Sequence, residues 1–174
     1  MRLFKNLKQH PRKFESTKKY SAVVIGGTGA TGRQLISQLI KNKNCLSITS
    51  IGRRQVLNGR KNKKLKDIVI DSLFDMSSTA NLWKNNDVFY NCIGTTRHLA
   101  GSAKYFKKIE VGISKEGAKM AFNARIPHVS LISANGANYQ QWAKEWIYPL
   151  FYIKTIGEKE QTVLTEYVFN KVSI

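Results

Sequence analysis

This sequence has no apolar run long enough to cross a bilayer. Its longest, residues 147–153, is interrupted by Pro149 and falls well short of the about 20 residues that a spanning helix needs. An integral helical membrane protein is therefore not expected. Cysteine is scarce, and Cys45 and Cys92 lack metal-ligand spacing; they read as ordinary reduced thiols. The histidines His10, His98 and His128 are scattered, so no metal site is expected. The most telling shortage is of acid. Lys and Arg number 29 against 11 Asp and Glu, a formal charge of +18, and no acid stands between Glu15 and Asp67. A field of that sign favours a polyanionic neighbour such as nucleic acid, an anionic lipid face or acidic protein subunits. No RNA- or DNA-binding motif accompanies the charge, and a plain solvated basic surface would look the same.

What the sequence does contain is organised around Gly26-Gly27-Thr28-Gly29-Ala30-Thr31-Gly32. The apolar run Val23-Val24-Ile25 leads into it, and Leu35, Ile36, Leu39 and Ile40 lead out on one helical face. Gly27, Gly29 and Gly32 fit G-x-G-x-x-G, and Gly26, Gly29 and Gly32 fit the looser G-x-x-G-x-x-G equally well. Strand, glycine turn and helix are the setting in which this motif cradles a pyrophosphate. One glycine makes the turn, one lets the backbone approach the phosphates, and one lets the helix pack closely. The unpaired N–H groups of the helix N-terminus then face the anion.

The rest alternates strands and helices. Strands are expected over 46–51, 66–71, 87–94, 127–133 and from Val172. Helices are expected over 73–86, 104–123 and part of 142–165, where Pro149 breaks the helix or sets its start. With the first strand before the glycines, that predicts an α/β fold: a Rossmann-type, doubly wound parallel sheet of about six strands. Residues 1–20 form a basic, weakly amphipathic arm with the composition of a mitochondrial targeting segment. Residues 21–174 form the nucleotide-binding domain.

At the end of the second strand, Gly52 is followed by Arg53 and Arg54. An acid here would hold the 2′-hydroxyl of NAD; a cation suits the 2′-phosphate of NADP(H). Arginine's fork can grip a phosphate with two hydrogen bonds. Asp71, ending the third strand, can meet an adenine amino group or simply cap a turn. Gly94 and Thr95 follow the fourth strand, where open α/β sheets bind ligands.

Five motifs in order carry a resemblance: Gly26–Gly32, Ile51-Gly52-Arg53-Arg54, Cys92-Ile93-Gly94-Thr95-Thr96-Arg97, Leu131-Ile132-Ser133-Ala134-Asn135-Gly136-Ala137, and Tyr152 upstream of Gly157-Glu158. Over residues 21–174 the chain resembles the atypical short-chain dehydrogenase/reductases. It is most similar to the Tat-interactive oxidoreductase-like family of NADPH-binding proteins, which has mitochondrial members in fungi. The resemblance implies a catalytic serine, and a tyrosine with a lysine four positions on. The tyrosine moves the substrate proton, the lysine lowers its pKa, and the serine binds the reacting oxygen.

This chain departs from that pattern. Tyr152 and Ser133 stand at or beside the catalytic positions, but Ala134 takes the usual serine position and Ile156 the lysine position. Lys154 lies on another helical face. Relatives continue past the sixth strand with a segment that builds much of the substrate side, of which little is expected here. The leading expectation is a non-catalytic NADP(H)-binding protein that serves as an accessory or structural subunit of a mitochondrial, respiratory-type complex. Its place would be the matrix side, against the inner membrane, with NADP(H) as a structural ligand. The alternatives are an NADPH-dependent oxidoreductase on a small carbonyl, using Tyr152 and Ser133, and an RNA-associated component of the mitochondrial ribosome.

Overall fold

A strand whose successive residues are all apolar must be covered on both faces. In the computed structural model β1 (Tyr20–Ile25) is such a strand, with Ala22, Val23, Val24 and Ile25 fully buried. The structure describes residues 19–58 and 60–174; nearly all of the basic arm lies outside the described residues. β2 (Cys45–Gly52), β3 (Leu65–Val69), β4 (Val88–Asn91), β5 (His128–Leu131) and β6 (Lys171–Ser173) complete one sheet. Its six strands run in the order β3-β2-β1-β4-β5-β6, and every pair is parallel. The doubly wound Rossmann arrangement expected from the sequence is the one present.

Alternate residues of β1 serve opposite faces, as a period of two requires. Ala22 and Val24 pack with Ile36 and Leu39 of α1 (Ala30–Lys41). Val23 and Ile25 pack with Trp83 of α2 (Ala80–Trp83), with Met120 and Ala121, and with Val163. A single turn, α3 (Arg97–Ala100), follows the loop after β4. The helical segment that supplies Met120 comes next and has three parts: α4 (Ala103–Lys107), a π-helical stretch at Lys108–Ile113, and α5 (Ser114–Asn123). Val163 belongs to α6 (Tyr148–Thr165), which begins with Pro149 in its first turn, where a missing N–H costs nothing. No helix of the described residues is long and apolar enough to cross a membrane.

Two expectations need correction. The helix expected over 73–86 shrinks to a 3₁₀ turn, Ser77–Thr79, and the single turn of α2. Local bonds compete with the helix ahead of them: Phe74 N–H donates to Ser72 Oγ (3.2 Å) and Ser77 N–H to Asp75 Oδ1 (2.9 Å). The helix expected over 104–123 is present but holds the π-helical stretch. Such wider turns recur where a fold builds a site.

Close packing fixes α6. A Cβ on Gly157 would lie 2.2 Å from Tyr139 N and 2.4 Å from Asn138 C, and Asn138 N–H donates to Ile153 O (3.2 Å). Gly157→Ala should therefore destabilise the protein by about 1–3 kcal/mol in a denaturant melt. At Gly112 the same methyl meets only ordinary contacts, the nearest at 3.7 Å. Gly112→Ala should be neutral or stabilising by up to about 1 kcal/mol.

At the far edge His128 Nε2 pairs with Ser173 Oγ (2.9 Å), tying β5 to β6. Burial, and then Lys171, lowers the His128 pKa from its ordinary value. The unfolded chain then binds more protons, so this group's stabilising effect is complete above the ordinary histidine value of about 6.5. It is lost as the pH falls through the window below that value. Melting temperature should drop between about pH 7 and pH 5, and His128→Gln should flatten that slope.

Candidate functional site

The loop after β1 can exist only with glycine. Gly26 has φ +76°, and a Cβ there would fall 2.5 Å from the backbone carbonyl of Cys92. At Gly32 a Cβ would stand 2.2 Å from Gly26 O, so the first turn of α1 presses directly on the loop. Gly29 N-caps α1 without a side-chain hydrogen bond, leaving the helix N-terminus open to an anion. Gly27, behind the loop, faces Ile36 and Val56.

Three adjoining hollows open at the carboxyl ends of β1, β2 and β4, on either side of the β1–β4 junction where the strand order reverses. The first, about 150 Å³, is walled by Gly26, Gly27, Thr28, Gly29, Arg53, Arg54 and Gly94, with Cys92 and Ile93. The second, about 510 Å³, shares Arg53, Arg54 and Gly94 and adds Asp71, Phe74, Thr95, Tyr105 and Ile109. The third, about 240 Å³, lies past Gly94 and Thr95 and is walled by Glu110, Ile132, Ser133, Tyr152, Ile156 and Lys159. Gly94 lines all three. Thus Gly26–Gly29, Arg53, Arg54, Asp71, Gly94 and Thr95 come together, and Tyr152 and Ser133 share the third hollow. Ala30 and Thr31 are exposed on the first turn of α1 and line none of the three; Gly32 acts through packing.

The chemistry fits a dinucleotide. The glycine loop and open helix end suit a pyrophosphate, the exposed forks of Arg53 and Arg54 suit a further phosphate beside it, and Phe74, Tyr105 and Ile109 supply apolar walls for a base. Burial pushes the Cys92 thiol up to about 11, so it stays protonated at neutral pH and offers no nucleophile.

In the third hollow the sequence reading missed two residues. Glu110, in the π-helical stretch, and Lys159, on α6, are each 1% exposed and form an ion pair of 3.1 Å. Lys159 Nζ also donates to Ile93 O (2.8 Å), and Thr95 N–H donates to Glu110 Oε1 (2.7 Å). Below them Ile93 N–H donates to Asn91 Oδ1 (3.1 Å), whose amide donates to Ser114 Oγ (2.8 Å). The loop after β4 is therefore tied to both packing helices. A signal for the pair did exist: each charge falls on the buried stripe of its helix, Glu110 four residues after Phe106 and Lys159 four before Val163.

Tyr152 stacks near Phe106 (5.9 Å between ring centres) and Tyr148 (6.1 Å). Burial first, then Glu110 and Tyr148, raises its pKa above the ordinary tyrosine value. The phenol can donate a hydrogen bond but is not poised as a base. Ser133 Oγ donates to Glu160 Oε1, which occupies its hydroxyl proton. Lys154 lines none of the three hollows.

Fold and cleft together are those of the atypical short-chain dehydrogenase/reductases. Among solved structures, a short-chain dehydrogenase/reductase superfamily protein of Agrobacterium tumefaciens with bound NAD superposes with a TM-score of 0.65 at 14% identity, over 88% of this chain and 48% of that one. The oxidoreductase YlbE of Lactococcus lactis gives 0.67 at 14% identity, over 87% and 67%. Within this class the chain is a homologue of the fungal proteins called FMP52, mitochondrial. It is 32% identical to the Candida albicans protein over 148 residues, 83% of this chain and 60% of that one. The Meyerozyma guilliermondii protein is 31% identical over 150 residues, covering 82% and 58%. Rat HTATIP2 is 26% identical over 156 residues, covering 88% and 60%. The chain spans about three fifths of the length of these curated relatives. No family model matches it.

Removing one partner of a buried pair strands the other charge. Lys159→Met should cost about 3–5 kcal/mol of stability in a urea melt, and combining it with Glu110→Gln should recover much of that loss.

Proposed function

We propose that this chain is an NADP(H)-binding protein that does not run the tyrosine–lysine reductase reaction. The observation that carries the reading is the position of Arg53 and Arg54, on the wall shared by the glycine hollow and the larger apolar one. There they can hold a 2′-phosphate while Gly26–Gly29 hold the pyrophosphate and Asp71 meets the adenine edge. When bound, the cofactor supplies a hydride donor or acceptor; the protein supplies binding and orientation.

The non-catalytic half of the reading rests on Tyr152. Its proton is held more firmly than in water, the position four residues on is Ile156, and the nearest buried lysine is already paired with Glu110. The named relatives FMP52 support a mitochondrial location. An accessory place in a larger assembly, on the matrix side at the inner membrane, accords with the exposed cations Arg33, Lys41, Lys43, Lys61, Lys63 and Lys66 of the stretch that carries no acid before Asp67. Bound NADP(H) would then stabilise the fold by mass action.

One observation favours a second reading, an NADPH-dependent reductase on a small carbonyl: Tyr152, Ser133 and Lys159 do share one hollow. Two measurements decide. In equilibrium titrations, Arg53→Ala/Arg54→Ala should weaken NADPH by about 10- to 100-fold, the loss expected for charge-assisted hydrogen bonds, and leave NADH nearly unchanged. Wild-type protein supplied with NADPH and a panel of small aldehydes and ketones should show no turnover above background. Turnover abolished by Tyr152→Phe would establish the reductase instead.

A further inference from the structure

The resemblance to short-chain reductases implies a lysine four residues after Tyr152, and Ile156 is there instead. The same face of α6 carries a lysine one turn further on. Tyr152, Ile156 and Lys159 fall at i, i+4 and i+7, and all three line the hollow beyond Gly94. Helical side chains lean toward the N-terminus of their helix, so the Lys159 ammonium reaches back along α6 toward the β4 loop. It arrives at Ile93 O, 2.8 Å away, and Glu110 secures it there while also holding Thr95 N–H.

We propose that Lys159, one turn beyond the position of the missing lysine on α6, forms with Glu110 a positioning pair that sets the loop Ile93-Gly94-Thr95 against the nicotinamide half of NADP(H). The inference rests on the NADP(H) reading above. Its geometry follows by assignment of the three hollows. The glycine hollow takes the phosphates and the hollow with Arg53, Arg54 and Asp71 takes the adenosine. The remaining hollow, with Tyr152 and Ser133, adjoins both through Gly94 and is left for the nicotinamide riboside. Its two charges, Glu110 and Lys159, neutralise each other, which suits the uncharged dihydronicotinamide of NADPH and its ribose. The pair holds the loop after β4, which meets the adenosine hollow only at Gly94 and Thr95; Arg53, Arg54 and Asp71, the charged groups that would grip the adenosine and its 2′-phosphate, follow β2 and β3.

That separation gives a readout that general destabilisation would not produce. Adenosine 2′,5′-bisphosphate probes the adenosine half alone, and NADPH probes both halves. The variant is Lys159→Met/Glu110→Gln, which keeps a side-chain carbonyl oxygen able to accept from Thr95 N–H and strands no charge. We expect the affinity advantage of NADPH over the bisphosphate to fall by about tenfold or more, the loss of one charge-assisted hydrogen-bond system, while bisphosphate affinity changes by less than about twofold. Lys159→Arg, which keeps the cation, should retain most of the advantage. An unchanged ratio, or equal weakening of both ligands, would overturn the positioning role while leaving the NADP(H) reading intact. Failure of both ligands to bind the wild type would overturn both. A second measurement needs no variant. In the wild type, NADPH should slow amide exchange across residues 93–96 more than the bisphosphate does; equal slowing by both ligands refutes the proposal.

Discussion

A lysine and a glutamate that are both 1% exposed can remain in a protein interior only because each is the other's solvent. Each ion gives up several kcal/mol of hydration on burial, by general estimate, and recovers it only with close pairing and further hydrogen bonds. Here those bonds are supplied by backbone groups of one loop, Ile93 O and Thr95 N–H. The pair therefore cannot be removed without loosening the loop, and the loop cannot shift without exposing the pair. Gly94 in that loop borders all three hollows, but Glu110 and Lys159 wall only the third, so it is the shape of that hollow that depends most directly on this internal ion pair.

The opposite wall is set by the lack of side chains. Gly26 and Gly32 allow the turn after β1, the start of α1 and the end of β4 to approach at distances no Cβ would permit. One wall of the cleft is thus held by close backbone packing and the other by buried charge. The first fixes where phosphates can lie. The second fixes where the rest of a dinucleotide can go.

This difference explains what the sequence could reveal. Glycines that must be glycine leave a local spacing, so Gly26–Gly32, the strand before them and the arginines after β2 were all legible and lie where spacing put them. The doubly wound parallel sheet was legible from the alternation of strands and helices, which admits few right-handed windings; the order of its strands comes from the structure. Glu110 and Lys159 are 49 positions apart, and their pairing exists only once α6 crosses the π-helical stretch. Counting four residues from Tyr152 finds Ile156 and stops. What went unused was a physical rule rather than a motif: two opposite charges, each on an otherwise buried helical stripe, must find each other. The shortened helix over 73–86 was misread for a smaller reason, the capture of Phe74 and Ser77 N–H groups by nearby side chains.

The arrangement also bears on how a reductase site can change its use. A free ammonium near Tyr152 would favour the phenolate and make it a base. Lys159 is instead paired with Glu110, whose carboxylate is among the groups that raise the Tyr152 pKa. The charge that a reductase would direct at the proton-transfer step is directed here at the backbone of the β4 loop. Orientation of a bound dinucleotide and activation of a tyrosine need the same cation in different places. In this fold it stands on Ile93 O and Glu110, the place that the proposed orienting role requires.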